Sequence, residues 1–140
     1  MIALIESSVV LRLIFGEPEP LRAWKYIKEG YISRLLPIEV SRVIDRARLT
    51  GHIDDNNVAK LHQESRKLIR SMAAVGMTEP ILLDAAAPMP TVVRTLDAIH
   101  LATAIAIRRS LNIELTVATH DDRLALAAQA SGFEVIGARE

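Results

Sequence analysis

Two hydropathy regimes alternate along this chain: short unbroken apolar runs of strand length, and longer amphipathic or Ala-rich stretches of helical length. Residues 2–5 (IALI) form the first run. They end at Glu6-Ser7-Ser8 and read as a buried strand passing into the helical stretch VVLRLIF. Gly16 and EPEP break that helix, LRAWKYIKE predicts a second short helix closed by Gly30, and YISRL reads as strand. Pro37 suits the first residue of a helix through IEVSRVIDRARL to Gly51, because its missing N–H would be unpaired there, and this puts Glu39 in a first turn. Asp54 or Asp55 is expected to cap NNVAKLHQESRKLIRSM, whose charges mark a solvated face, and AAVGM reads as a further short strand. ILLDAAA predicts a short helix stopped by PMP. Thr95 then reads as the N-cap of TLDAIHLATAIAIRRS, with Asp97 in its first turn and Arg108 and Arg109 at its basic end. IELTVAT is the clearest strand, followed by His120-Asp121-Asp122, the helix RLALAAQAS, a stop at Gly132 and a last strand FEVI. Such alternation predicts an α/β fold, and 140 residues without a repeat or linker predict a single domain over 1–140.

Composition narrows the chemistry. Half the residues are hydrophobic and only 4% aromatic, so the core must be built from Ala, Ile, Leu and Val. Lys+Arg and Asp+Glu both total 17, so no overall basic excess announces a nucleic-acid partner, and any such grip must be local. Without Cys there are no disulfides, thiolate zinc sites or cysteine nucleophiles, and His52, His62, His100 and His120 show no HExxH-like spacing. The apolar start carries Glu6 and Arg12 and lacks a cleavage signal, so a cytoplasmic protein without a membrane span is expected.

Against that background four acids stand out. Glu6 and Asp121 follow the two strongest strands, while Glu39 and Asp97 open helices. Taken singly each reads as structural, since acids favour first helical turns, and Asp54, Asp55 and Asp84 are of that ordinary kind. Taken together they converge, because parallel sheets gather residues from successive strand-to-helix junctions on one rim. Like charges brought close raise one another's pKa unless a cation neutralises them, and Mg²⁺ or Mn²⁺ takes oxygen ligands while keeping several waters.

At these residues the sequence resembles the PIN-domain ribonucleases, especially the VapC-type toxins of toxin–antitoxin pairs. ALIESSVVLRLIFGEPE is similar to that family's opening strand, acid, hydroxyl pair and first helix. SRLLPIEVSRVIDR is similar to the segment of the second acid, RTLDAIHLATAIAI to that of the third, and VATHDDRLALAAQASGFEVI to the closing Thr-x-Asp segment. The resemblance implies a three-layer α/β/α PIN-like domain with a small, mostly parallel central sheet. It further implies Glu6, Glu39, Asp97 and Asp121 as catalytic, metal-holding carboxylates with Ser8 and Thr119 as hydroxyl neighbours, Asp121 being preferred to Asp122 because it stands two residues after Thr119. The implied activity is Mg²⁺- or Mn²⁺-dependent endoribonuclease cleavage, and the implied partners are an RNA substrate, a small antitoxin protein and a second copy of the chain. The first acid of the family is normally Asp, whereas this chain has Glu6, whose extra methylene exceeds the roughly 0.5 Å tolerance of a productive site. That departure predicts a preference for Mn²⁺ over the geometrically stricter Mg²⁺, or, alternatively, a weakened or inactive PIN-like binding or scaffold protein.

Among lesser candidates, Arg12 and Arg94 offer local grip on RNA, against an ordinary reading as surface charge. His100 lies one helical turn after Asp97 and reads first as a packed or capped histidine, second as an acid or ligand. His120 reads as a neighbour of Asp121, and Trp24 and Tyr26 as docking residues of an amphipathic helix before base-stacking ones.

Overall fold

The structure, a computed structural model, describes residues 1–138. Its strands are β1 (Ile2–Ile5), β2 (Glu29–Ser33), β3 (Ala73–Val75), β4 (Thr116–Ala118) and β5 (Glu134–Ile136). Its helices are α1 (Ser7–Ile14), α2 (Leu35–Leu49), α3 (Asp55–Arg70), α4 (Glu79–Ala86), α5 (Thr95–Leu111) and α6 (Asp122–Ala130), with a 3₁₀ turn at Arg22–Tyr26. All strand pairs are parallel, in the order β3-β2-β1-β4-β5.

Alternation along β1 explains the layering. Ala3 and Ile5 join one fully buried cluster with Val9 and Val10 of α1 and Leu36, Val40 and Ile44 of α2. Leu4 points to the opposite face, into a cluster with Leu101, Ala104 and Ile107 of α5 and Leu124, Ala127 and Ala128 of α6. A side-chain period of two thus sends one short apolar strand into both halves of the core, giving the three-layer α/β/α arrangement. The sheet is parallel throughout, as the alternation of strands and helices requires.

Four local readings of the sequence shift. Gly30 does not close a helix: it lies in β2, paired with Ala3, and a Cβ there would meet Met72 Cγ at 3.0 Å. The residues 22–26 make only a 3₁₀ turn, with Trp24 packed against the core and Tyr26 exposed beneath the Lys25 ammonium. Helix α2 starts at Leu35, because the buried Ser33 hydroxyl accepts from Leu35 N at 3.1 Å and opens the helix early. Pro37 is therefore the third helical residue, where an N–H is still not missed, and Glu39 lies beyond the first turn. Likewise Arg94, not Thr95, takes the N-cap position of α5, and no side chain caps it. Asp54 does cap α3, accepting from Asn57 N at 2.9 Å. Among the described residues, no helix is long and apolar enough to cross a membrane.

Candidate functional site

The strand order places a switch point between β1 and β4: the chain continues from β1 to β2 on one side, while β4 occupies the other side. In open parallel sheets ligands bind in the crevice outside the carboxyl ends of strands at such a point. Glu6 immediately follows β1, and Thr119, His120 and Asp121 follow β4.

A hydrogen-bond network ties these two strand ends together. The Glu6 N–H donates to Ala118 O at 3.0 Å, and its carbonyl accepts from Val9 N at 3.1 Å, so Glu6 ends a strand and opens α1 at once. Its carboxylate is buried, and Oε2 accepts from the hydroxyls of both Ser8 and Thr119, the latter at 2.8 Å. Those hydroxyls accept in turn from His120 N (2.9 Å) and Asp121 N (3.0 Å), which fixes the start of α6 relative to α1. Asp121 caps α6 through Oδ1, accepting from Leu124 N at 2.8 Å. The chain returning from β5 passes close by: Gly137 has φ +95°, its carbonyl lies 2.8 Å from His120 Nδ1, and a Cβ there would come within 2.7 Å of Thr119 O. Only glycine suits that approach.

The other two acids come from the helices. Glu39 Oε1 accepts from Ser7 Oγ at 2.6 Å and lies 2.5 Å from His100 Nε2. Burial works to raise the Glu39 pKa, but the hydrogen bond and charge of His100 and the Ser7 hydroxyl outweigh it, and the carboxyl is held below its ordinary 4.5. Asp97 is different. It accepts no hydrogen bond among the described residues, and its pKa is pushed up to about 6 by burial first, then by the charges of Asp121 and Glu6, with His100 opposing and Glu39 adding. The other three predicted acids therefore all act on the Asp97 carboxyl, although they come from distant parts of the chain. No Lys or Arg forms an ion pair with any of them among the described residues.

Residues 3–130 match the family model of the PIN domain. The chain belongs to the PIN domain family. It is similar to "Ribonuclease VapC47" of Mycobacterium tuberculosis (strain CDC 1551 / Oshkosh), with 30% identity over 136 residues covering 92% of this chain and 91% of that one. It is also similar to "Ribonuclease VapC46" of Mycobacterium tuberculosis (strain ATCC 25618 / H37Rv), with 29% identity over 133 residues covering 94% of each chain. A toxin–antitoxin complex from Klebsiella pneumoniae shares the fold, with 19% identity, a TM-score of 0.65 and coverage of 91% of this chain and 93% of that one.

In this PIN domain the donor set on the rim is carboxylate oxygen, which suits a hard cation, and an unpartnered carboxyl raised by its acidic neighbours is one that a cation would relieve. Among the described residues, no three His, Asp or Glu side chains stand close enough to ligate an ion as they are.

Of the basic candidates, Arg12 is partly exposed, 3.9 Å from Glu17 Oε2, and donates to Glu19 O at 3.1 Å. It borders a groove of about 960 Å³ that also touches Arg22, His120 and Asp122. Arg94 is exposed at the start of α5, three residues before Asp97. Sequence reasoning missed Ser7, the buried hydroxyl on Glu39, and did not find the partner of His100. The available signal was helical spacing: Asp97 and His100 lie on one face of α5, so a rim acid there brings the histidine with it.

Proposed function

We propose that this PIN domain is a Mg²⁺- or Mn²⁺-dependent endoribonuclease, the toxin of a toxin–antitoxin pair, with a small antitoxin protein as partner and a second copy of itself in a homodimer. Support comes from the relatives named as ribonucleases and from a structural neighbour that is a toxin–antitoxin complex. The observation that carries the reading is the carboxyl of Asp97, raised to about 6 by burial and by the other three acids. Glu6, Glu39, Asp97 and Asp121 are the groups that would hold the cation. When bound, the cation lowers the pKa of a water and offsets charge on phosphoryl oxygens. The chain's own part is orientation. Ser8 and Thr119 fix Glu6, the Leu124 N–H occupies one oxygen of Asp121, and Asp97 is left unpartnered among the described residues. Arg12 and Arg94 supply phosphate contacts that hold unpaired RNA across the rim, with the salt dependence such contacts bring.

One observation favours a second reading, a catalytically weakened PIN-like binding protein: no three acids are set at ligating distance among the described residues, and the longer Glu6 folds back onto two hydroxyls. Cleavage of single-stranded RNA with Mg²⁺ and with Mn²⁺, by the native chain, Glu6→Asp and Asp97→Asn, separates the two. Metal-dependent cutting by the native chain that is lost in Asp97→Asn supports the nuclease. An inert native chain that Glu6→Asp activates supports the weakened site, and equal cutting by native and Asp97→Asn chains rejects the carboxylate mechanism.

A further inference from the structure

We propose that His100, together with Ser7, is a positioning residue for Glu39, fixing one carboxylate oxygen and leaving the other for the acidic rim. This rests on the metal-site reading above for its functional meaning, but its geometry stands independently. His100 is fully buried on α5, and its Nε2 lies 2.5 Å from Glu39 Oε1 of α2. Ser7 of α1 donates to the same Oε1 at 2.6 Å, and Oε2 accepts no hydrogen bond among the described residues. Two donors from two other helices thus converge on a single oxygen. A carboxylate can only accept, so Nε2 carries the proton.

The second ring nitrogen gives the argument its direction. His100 Nδ1 is buried and has no hydrogen-bond partner among the described residues. A buried polar atom left unpaired costs free energy, and an apolar side chain in this core position would avoid that cost. What the imidazole contributes here is therefore the bond made by Nε2. Because Asp97 precedes His100 by one turn of the same helix, the Nε2–Oε1 bond also sets how far Glu39 stands from Asp97, two acids that already act on each other electrostatically. Partners of this kind orient ligating carboxylates, and removing them typically weakens metal binding by about 10–100-fold.

The test measures Mn²⁺ binding by calorimetry on the full chain and on His100→Leu, His100→Gln and Ser7→Ala. His100→Leu is expected to bind about tenfold or more weakly. His100→Gln, whose amide N–H has similar reach, is expected to stay close to native, and Ser7→Ala to fall between. Equal affinity in native and His100→Leu chains overturns the proposal. A second readout needs no metal: in ¹⁵N-histidine-labelled native protein the His100 Nε2 proton should lie far downfield, exchange slowly, and move upfield in Glu39→Gln. An Nδ1–H tautomer, or a rapidly exchanging proton, overturns the positioning role. If the native chain binds no Mn²⁺ while this proton behaves as expected, the metal reading fails and the positioning of Glu39 remains.

Discussion

Helix α2 carries two acids in opposite company. On its exposed side Asp45 receives Arg48 at 2.8 Å and Arg42 at 3.0 Å, and the Arg48 hydrogen bond, ahead of the charges, holds its pKa below the ordinary value. On the rim side Glu39 has only a hydroxyl and an imidazole, and across from it Asp97 has no hydrogen-bond donor among the described residues. A surface acid is neutralised by arginines at helical spacing in its own helix, which solvent screening makes cheap and dispensable. The rim acids are half-buried or buried, mutually repelling, and without an ion-paired Lys or Arg among the described residues. The contrast is between an acid offset by arginines of its own helix and rim acids whose repulsion the proposed cation would relieve.

The largest effect that would break this comparison is on activity. Asp97→Asn should lower Mn²⁺-supported RNA cleavage by about a hundredfold or more, a loss typical of removing one electrostatic element of an active site. Gel assays of purified variants would show it, and undiminished cutting would put Asp97 in the same class as Asp45. Next comes Glu6→Asp, which shortens the buried acid by a methylene. It should raise the Mg²⁺-supported rate relative to the Mn²⁺-supported rate by about tenfold or more, since ångström-scale misplacement has costs of that order.

A smaller effect, of opposite sign for two rim acids, concerns stability in the metal-free protein. Asp97 has a folded-state pKa of about 6, above its ordinary 3.8. Its contribution is therefore fully present below about pH 4 and is lost as pH rises through about 6. Discounted for the solvent screening of a half-exposed group, the change is about 1–2 kcal/mol. Glu39 is shifted the other way, so its contribution is present above pH 4.5 and is lost as pH falls through its lowered folded-state value. Urea denaturation across pH 3–8 should show both slopes, and Asp97→Asn should remove only the one approaching neutrality. The smallest effect is expected from Arg48→Ala, which should leave cleavage unchanged and barely move the melting temperature, as exposed ion pairs contribute little.

Glu6 and Asp121 were legible as strand-end acids because each is tied to a local event that the hydropathy pattern marks. Glu6 ends an apolar run, and Asp121 precedes an Ala-rich helix after the clearest strand. The order of strands then brings those events to one edge without further information. Features that depend on which faces of two helices meet were less accessible. His100 could be placed one turn from Asp97, yet its partner Glu39 lies 61 residues away in sequence, and only the packing of α5 near α2 joins them. Ser7 was hidden by its neighbour: within Glu6-Ser7-Ser8 the two hydroxyls point to different acids, Ser7 to Glu39 and Ser8 to Glu6. Gly30 misled because it resembles a helix stop, while pairing with β1 and the close approach of Met72 decide its place. The early start of α2 had the same kind of cause, a buried Ser33 hydroxyl that accepts from Leu35 N and that periodicity does not register.

The shared field of the four carboxylates is tested most directly by side-chain carboxyl NMR titration of Asp97 in metal-free protein and again with saturating Mg²⁺. A midpoint near 6 without metal, displaced below the ordinary aspartate range when Mg²⁺ is added, is the expected result. A midpoint at the ordinary 3.8 that Mg²⁺ leaves unmoved would contradict it, and with it the cation site on the rim.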